Sequence, residues 1–166
     1  MLPTPSSTPR VRAVTARPAT DWLAAARAHE RAGCVVEAIE SYLGAIAEAE
    51  RAGSPTVLAE ALRRLAVVRH TRDERAAAHE LCARSFEVAC EAANDLLAAE
   101  ALNTLGVMLL REGALHEAAD RFRQALARGG DNLQIRARAE QNLGILANIH
   151  GDLDDALLRY EASLES

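Results

Sequence analysis

Gly33, Asp73, Gly113 and Gly151 stand 40, 40 and 38 residues apart. Other columns keep the same register: Ala38, Ala78, Ala118 and Ala156; Tyr42, Cys82, Phe122 and Tyr160; Ala45, Ser85, Ala125 and Ser163. Upstream of each turn, Ala26, Ala66, Gly106 and Gly144 align, preceded by Ala25, Leu65, Leu105 and Leu143. A fixed period of this length marks an array of one supersecondary unit, because a unit that small hides its apolar face only against its neighbours. The chain has to be a stack.

Each unit reads as two helices, since apolar residues recur at three and four spacing, as in Leu102, Leu105, Leu109 and then Ala118, Phe122, Ala125. Composition agrees: 36 alanines, 19 arginines, no lysine and five aromatic residues suit helices and exclude an all-β fold. Ser54 before Pro55 reads as an N-cap with proline at the first helical position. Gly33 and Gly53, each after Glu-Arg-Ala, sit where a left-handed C-cap glycine belongs. The pattern predicts helices over 20–32, 35–52, 55–71, 75–93, 95–112, 115–128, 132–149 and 153–165. The small residues imply close crossings within a unit, Gly106 opposite Ala118 and Gly144 opposite Ala156, with Leu105 and Phe122 filling the space beside.

Residues 1–18 differ from the rest. They hold four of the five prolines, three arginines and no acid, and are expected to be a disordered tail. The whole chain carries a formal charge of −5, which excludes a general nucleic-acid binder. No apolar run approaches the roughly 20 residues that span a bilayer, so no membrane segment is expected and the chain reads as soluble. Cys34, Cys82 and Cys90 are an odd number without metal spacing, each expected to be a small buried hydrophobe in a reducing, cytoplasmic setting.

On these columns the chain resembles the tetratricopeptide repeat family, whose signature places Trp, Leu-Gly and Tyr on the first helix and Ala then Phe on the second. The best unit is Ala99 to Leu126, and Ala137 to Leu164 follows it. The first unit keeps Trp22, Ala38 and Tyr42, while the second has Asp73 at the turn and Cys82 in the aromatic column. The resemblance implies an all-α fold, a right-handed α-α superhelix of four hairpins near 19–58, 59–98, 99–136 and 137–166. The period of about 40 exceeds the family's usual 34. It is similar to extended repeats of kinesin light chain and bacterial regulators, and the proline that usually closes each unit is missing. Leu157, Tyr160 and Leu164 have no obvious partner in the last unit. The chain is therefore expected either to continue past Ser166 or to self-associate there.

No set of residues points to catalysis. His79 and Cys82 share a helix face, but two ligands are too few for a metal site. Asp152, Asp154 and Asp155 lack the register of a calcium loop, and helix capping by Asp152 explains them better. No phosphate loop or nucleophile elbow occurs. Neither an enzyme nor a cofactor is expected.

What the resemblance implies instead is a concave groove, lined by the first helix of each unit, that binds a peptide or partner domain. Carried over by position, the groove includes Arg27, Arg63, Arg64 and His70 from units one and two, then Asn103, Arg138, Asn142 and Asn148 from units three and four. This lining is basic and amide-rich in an acidic domain, so an acidic protein or peptide partner is expected. Ion pairs between these arginines and nearby glutamates are the competing account. Arg111, near a helix C-terminus, reads as a dipole partner. Arg63, Val67, Thr104, Arg138 and Asn142 match the family's carboxylate clamp only in part, which does not support chaperone binding. Two further functions are open: an N-terminal regulatory segment of a larger bacterial signalling protein, or a homodimer built through the C-terminal helix.

Overall fold

The structure, a computed structural model, describes residues 17–165. The tail expected over residues 1–16 lies outside them, as does Ser166. Among the described residues there are eight helices and no strand. They are α1 (Ala19–Arg31), α2 (Val35–Ala52), α3 (Pro55–Thr71), α4 (Arg75–Glu91), α5 (Asp95–Glu112), α6 (Leu115–Gly129), α7 (Leu133–His150) and α8 (Leu153–Leu164). None is long and apolar enough to cross a membrane.

Consecutive helices pack as antiparallel neighbours. In addition the backbones of α1 and α3, of α3 and α5 and of α5 and α7 come close together, whereas the even-numbered helices stand farther apart, α2 and α4 joined by the side-chain pair of Glu50 and Arg84. A stack in which the first helices of successive units lie closer together than the second helices must curve around them. The odd helices therefore line the concave side of an α-α solenoid.

The forty-residue register is a register of turns. Gly33, Asp73, Gly113 and Gly151 all have positive φ, between 62° and 83°. Between units Gly53 and Ala93 take the same role, and Gly130 also has positive φ but with a ψ of −125°. In six of these seven turns the residue after the positive-φ position closes the helix with a six-to-one hydrogen bond of 2.8–3.1 Å, as from the Cys34 amide to the His29 carbonyl. The expected end of the fourth helix at residue 93 is corrected by this geometry: α4 stops at Glu91, and Ala93 is forced into the left-handed turn.

Caps at the other ends are mixed. Asn94, Asn132 and Asp152 each accept a hydrogen bond from the amide three residues on, at 3.1 Å. Ser54 occupies the predicted N-cap before Pro55, but its side chain makes no capping bond. Arg17 and Pro18, expected in the tail, are anchored instead: Pro18 caps α1, and the Arg17 guanidinium lies 4.4 Å from the centre of the Trp22 ring.

Ala38, Ala78, Ala118 and Ala156 are all buried, at most 4% exposed. The aligned glycines lie beneath aromatic rings of the second helix. A Cβ at Gly106 would stand 2.5 Å from Phe122 Cε1, and one at Gly144 would stand 2.8 Å from Tyr160 Cε1. Small meets large here, so Phe122 fills the crossing itself rather than the space beside it. The first unit reverses the roles: Trp22, on the first helix, covers Gly44 on the second, where a Cβ would stand 2.8 Å from Trp22 Cδ2.

Candidate functional site

The concave face is built from α1, α3, α5 and α7, and three of its arginines, Arg27, Arg63 and Arg138, reach acids of the neighbouring odd helix. Arg27 of α1 donates to Glu60 of α3, which also accepts from Arg64 at 3.0 Å. Arg63 of α3 donates to Glu100 of α5 at 2.7 Å, and Arg138 of α7 reaches the other oxygen of Glu100 at 3.9 Å. Arg64 also lies 4.0 Å from Glu30, whose carboxylate accepts the hydroxyl of the buried Tyr42. Burial lowers the guanidinium pKa of both Arg27 and Arg63, against the opposing pull of Glu100 in the case of Arg63. In each of these two arginines the Nε is buried without a hydrogen-bond partner.

The predicted basic lining is therefore largely neutralised from within. Glu60 and Glu100 stand one period apart, with Glu140 a further period on, pairing at 3.0 Å with Arg159 of α8. That column of glutamates was a signal in the sequence that the groove arginines have internal partners. The amides behave likewise: Asn142 donates to Asn103 across α7 and α5 at 3.0 Å. Asn148, by contrast, is exposed at the far end of α7 and joins none of these pairs.

His70 sits at the rim. Its Nε2 and that of His79 on α4 both lie 2.9 Å from the same oxygen of Glu112, tying α3, α4 and α5 together. Burial pushes the Glu112 carboxyl up, but the hydrogen bonds from His79 and His70 outweigh it and hold the group below the ordinary carboxylate value. His79 and Cys82, although on one helix, face different surroundings. The Cys82 thiol is buried against the Ala101 carbonyl at 3.2 Å, and burial pushes it up to about 12. The three cysteines are not alike as expected, since Cys34 is exposed and Cys90 half-buried.

One stretch of the groove is left unsatisfied. A cavity of about 140 Å³ opens between α3 and α5, lined by Val67, His70, Asn103, Thr104, Val107, Met108 and Arg111. Arg111 is exposed and forms no ion pair with a described residue. It is thus the cation at this cavity that no acid neutralises, while Arg27, Arg63, Arg64 and Arg138 all have acidic partners. Sequence position alone suggested a helix-dipole role for Arg111. Its place at the cavity, together with the pairing of Arg27, Arg63, Arg64 and Arg138, singles it out.

No family model matches the sequence, and no curated protein matches it. Solved structures do. The chain is similar to BtubC (BKLC) from P. vanneervenii at a TM-score of 0.75 and 18% identity, over 89% of this chain and 62% of that one. It spans less than two thirds of BtubC. Two structures of MamA match over 89% of the chain, at TM-scores of 0.63 and 0.51 with 22% and 19% identity, covering 77% and 90% of those chains. At such identities the likeness concerns the fold, and it supports a helical-repeat solenoid.

Proposed function

We propose that this chain is a protein-interaction scaffold of the tetratricopeptide type, without enzymatic activity, whose concave groove holds a peptide segment of a partner. The observation that carries the reading is the cavity between α3 and α5: Val67, Val107 and Met108 supply apolar walls, Asn103 and Thr104 supply backbone-matching polar groups, and Arg111 is an uncommitted cation. An acidic residue in the bound segment fits Arg111, because a guanidinium can take a carboxylate in a two-pronged hydrogen bond. Arg27, Arg63 and Arg64 shape the groove by joining its helices. Asn103 and Asn142 hold α5 and α7 in register.

A peptide array probed with the purified chain tests this. Peptides bound by the wild type should be lost with Arg111→Glu and with Val107→Glu, both checked for native helicity. An array pattern that neither substitution alters overturns the groove reading.

A further inference from the structure

Behind Arg111 the cavity between α3 and α5 holds a second set of ionisable groups. His70, in the cavity wall, and His79 of α4 each place Nε2 2.9 Å from one oxygen of Glu112. An ionised carboxylate only accepts, so each Nε2 carries its proton and donates it, and Nδ1 is the nitrogen that takes up a further one. Neither Nδ1 bonds a described residue. The Glu112 carboxyl is held below its ordinary 4.5, so it keeps its charge over the range from about pH 5 to 8 in which histidine changes its own.

Helix stability does not account for this arrangement. Glu112 is the last residue of α5, where the helix dipole disfavours an acid. Its register positions in the other units hold Ala32, Arg72 and His150, and those of His70 hold Glu30, Leu110 and Asn148. Among the described residues the cluster therefore occurs once in the array, at the cavity. Charges on the neighbouring turn are closed on one another, Arg69 and Arg72 on Glu74 and Arg75 on Asp73. His116, at the start of α6, lines a separate cavity with His150. Arg111, adjacent to Glu112 in the chain, is the open charge beside the cluster.

We infer that the His70–Glu112–His79 cluster makes capture of a carboxylate-bearing segment in this cavity pH-dependent, stronger in acid. With both imidazoles neutral the cluster sets a net negative charge beside Arg111; with both protonated it sets a net positive one. The added protons sit on Nδ1 and Glu112 remains the common acceptor, so α3, α4 and α5 stay joined while the charge beside the cavity changes sign. This rests on the groove reading above and adds its regulation.

The test is fluorescence anisotropy with the full chain and a labelled 12-residue peptide of serine, glycine and valine carrying three aspartates, beside a counterpart with asparagine in their place. Both are titrated at pH 7.5, 6.5 and 5.5 at fixed ionic strength, a range in which aspartate stays ionised. The aspartate peptide should bind roughly three- to tenfold more tightly at pH 5.5 than at 7.5, and the asparagine peptide should show no such gain. His70→Gln/His79→Gln keeps donors toward Glu112 that cannot take up a proton; it should retain the affinity seen at pH 7.5 and lose the gain. His79→Gln alone, at the more exposed ring, should lose part of it. His29→Gln, on α1, should keep all of it. A gain that survives both glutamine variants, or that the asparagine peptide shares, overturns the inference. Wild-type binding that is flat with pH yet abolished by Arg111→Glu overturns it too and leaves the groove reading standing. Absence of binding at every pH overturns both.

Discussion

At the scale of single residues, the sharpest departure from local preference is Ala93, an L-residue held at a φ of 50° where Gly53 serves the equivalent turn. The left-handed region costs a residue with a Cβ roughly 1–2 kcal/mol, partly offset by the greater freedom of glycine when unfolded. Ala93→Gly should therefore stabilise the chain by about 0.5–1 kcal/mol, measured as a higher urea midpoint. A lower midpoint would show that the turn is not strained. Asp73 has the same backbone but also pairs with Arg75 at 2.7 Å, so Asp73→Gly should gain less. Glu112 offers a pH test. Its carboxyl lies below the ordinary value of 4.5 in the folded chain, so its contribution is present above that value and fades as pH falls through the folded one. Glu112→Gln should cost stability at neutral pH and make the acid limb of the stability curve shallower. An unchanged acid limb would mean that the two histidines do not hold this carboxylate. Thiol chemistry sorts the cysteines by burial: Cys34 should react with a soluble disulfide reagent first, and Cys82 only on unfolding.

Helices show what the small residues do. Gly106 and Gly144 read in sequence as partners of Ala118 and Ala156, small against small, yet the structure sets Phe122 and Tyr160 on the glycines. A ring needs a flat floor, and a Cβ at Gly106 would come within 2.5–3.0 Å of three Phe122 ring atoms. Gly106→Ala should destabilise by about 1–3 kcal/mol through overpacking, even though alanine is the better helix former. In a Phe122→Leu background the same change should cost clearly less, because the clash is removed. Additive thermal shifts in that double-mutant cycle would refute the contact. Helix ends divide by the same logic. Glycine turns were legible because a positive φ prefers glycine, whereas the turn at Ala93 was not, because nothing in an alanine announces it.

For the whole molecule, the groove is held by ion pairs between odd helices, with Glu100 placed between Arg63 and Arg138. Glu100→Gln should leave the mostly buried Arg63 guanidinium without its counter-charge and cost about 1–3 kcal/mol by urea titration. Arg63→Met together with Glu100→Leu should recover part of that loss, since an apolar pair needs no desolvation of charge. A double variant as unstable as the single one would contradict this. How much of the molecule the residues announced varies with the range of the contact involved. Period, helix count and the aromatic columns follow from local spacing, because turn chemistry and amphipathic periodicity act within a few residues. The groove could be placed on the odd helices but not weighed: the acids that pair with Arg27 and Arg63 lie 33 and 37 residues away in the chain, so spacing alone left an acidic partner and internal ion pairs both open. The sequence by itself thus determined an eight-helix repeat and the faces its helices show. Only the stacking of units decided which charges cancel and that Arg111 is left without an acid beside the cavity between α3 and α5, because side-chain pairing depends on distances in space that a repeat sets between its units, not within them.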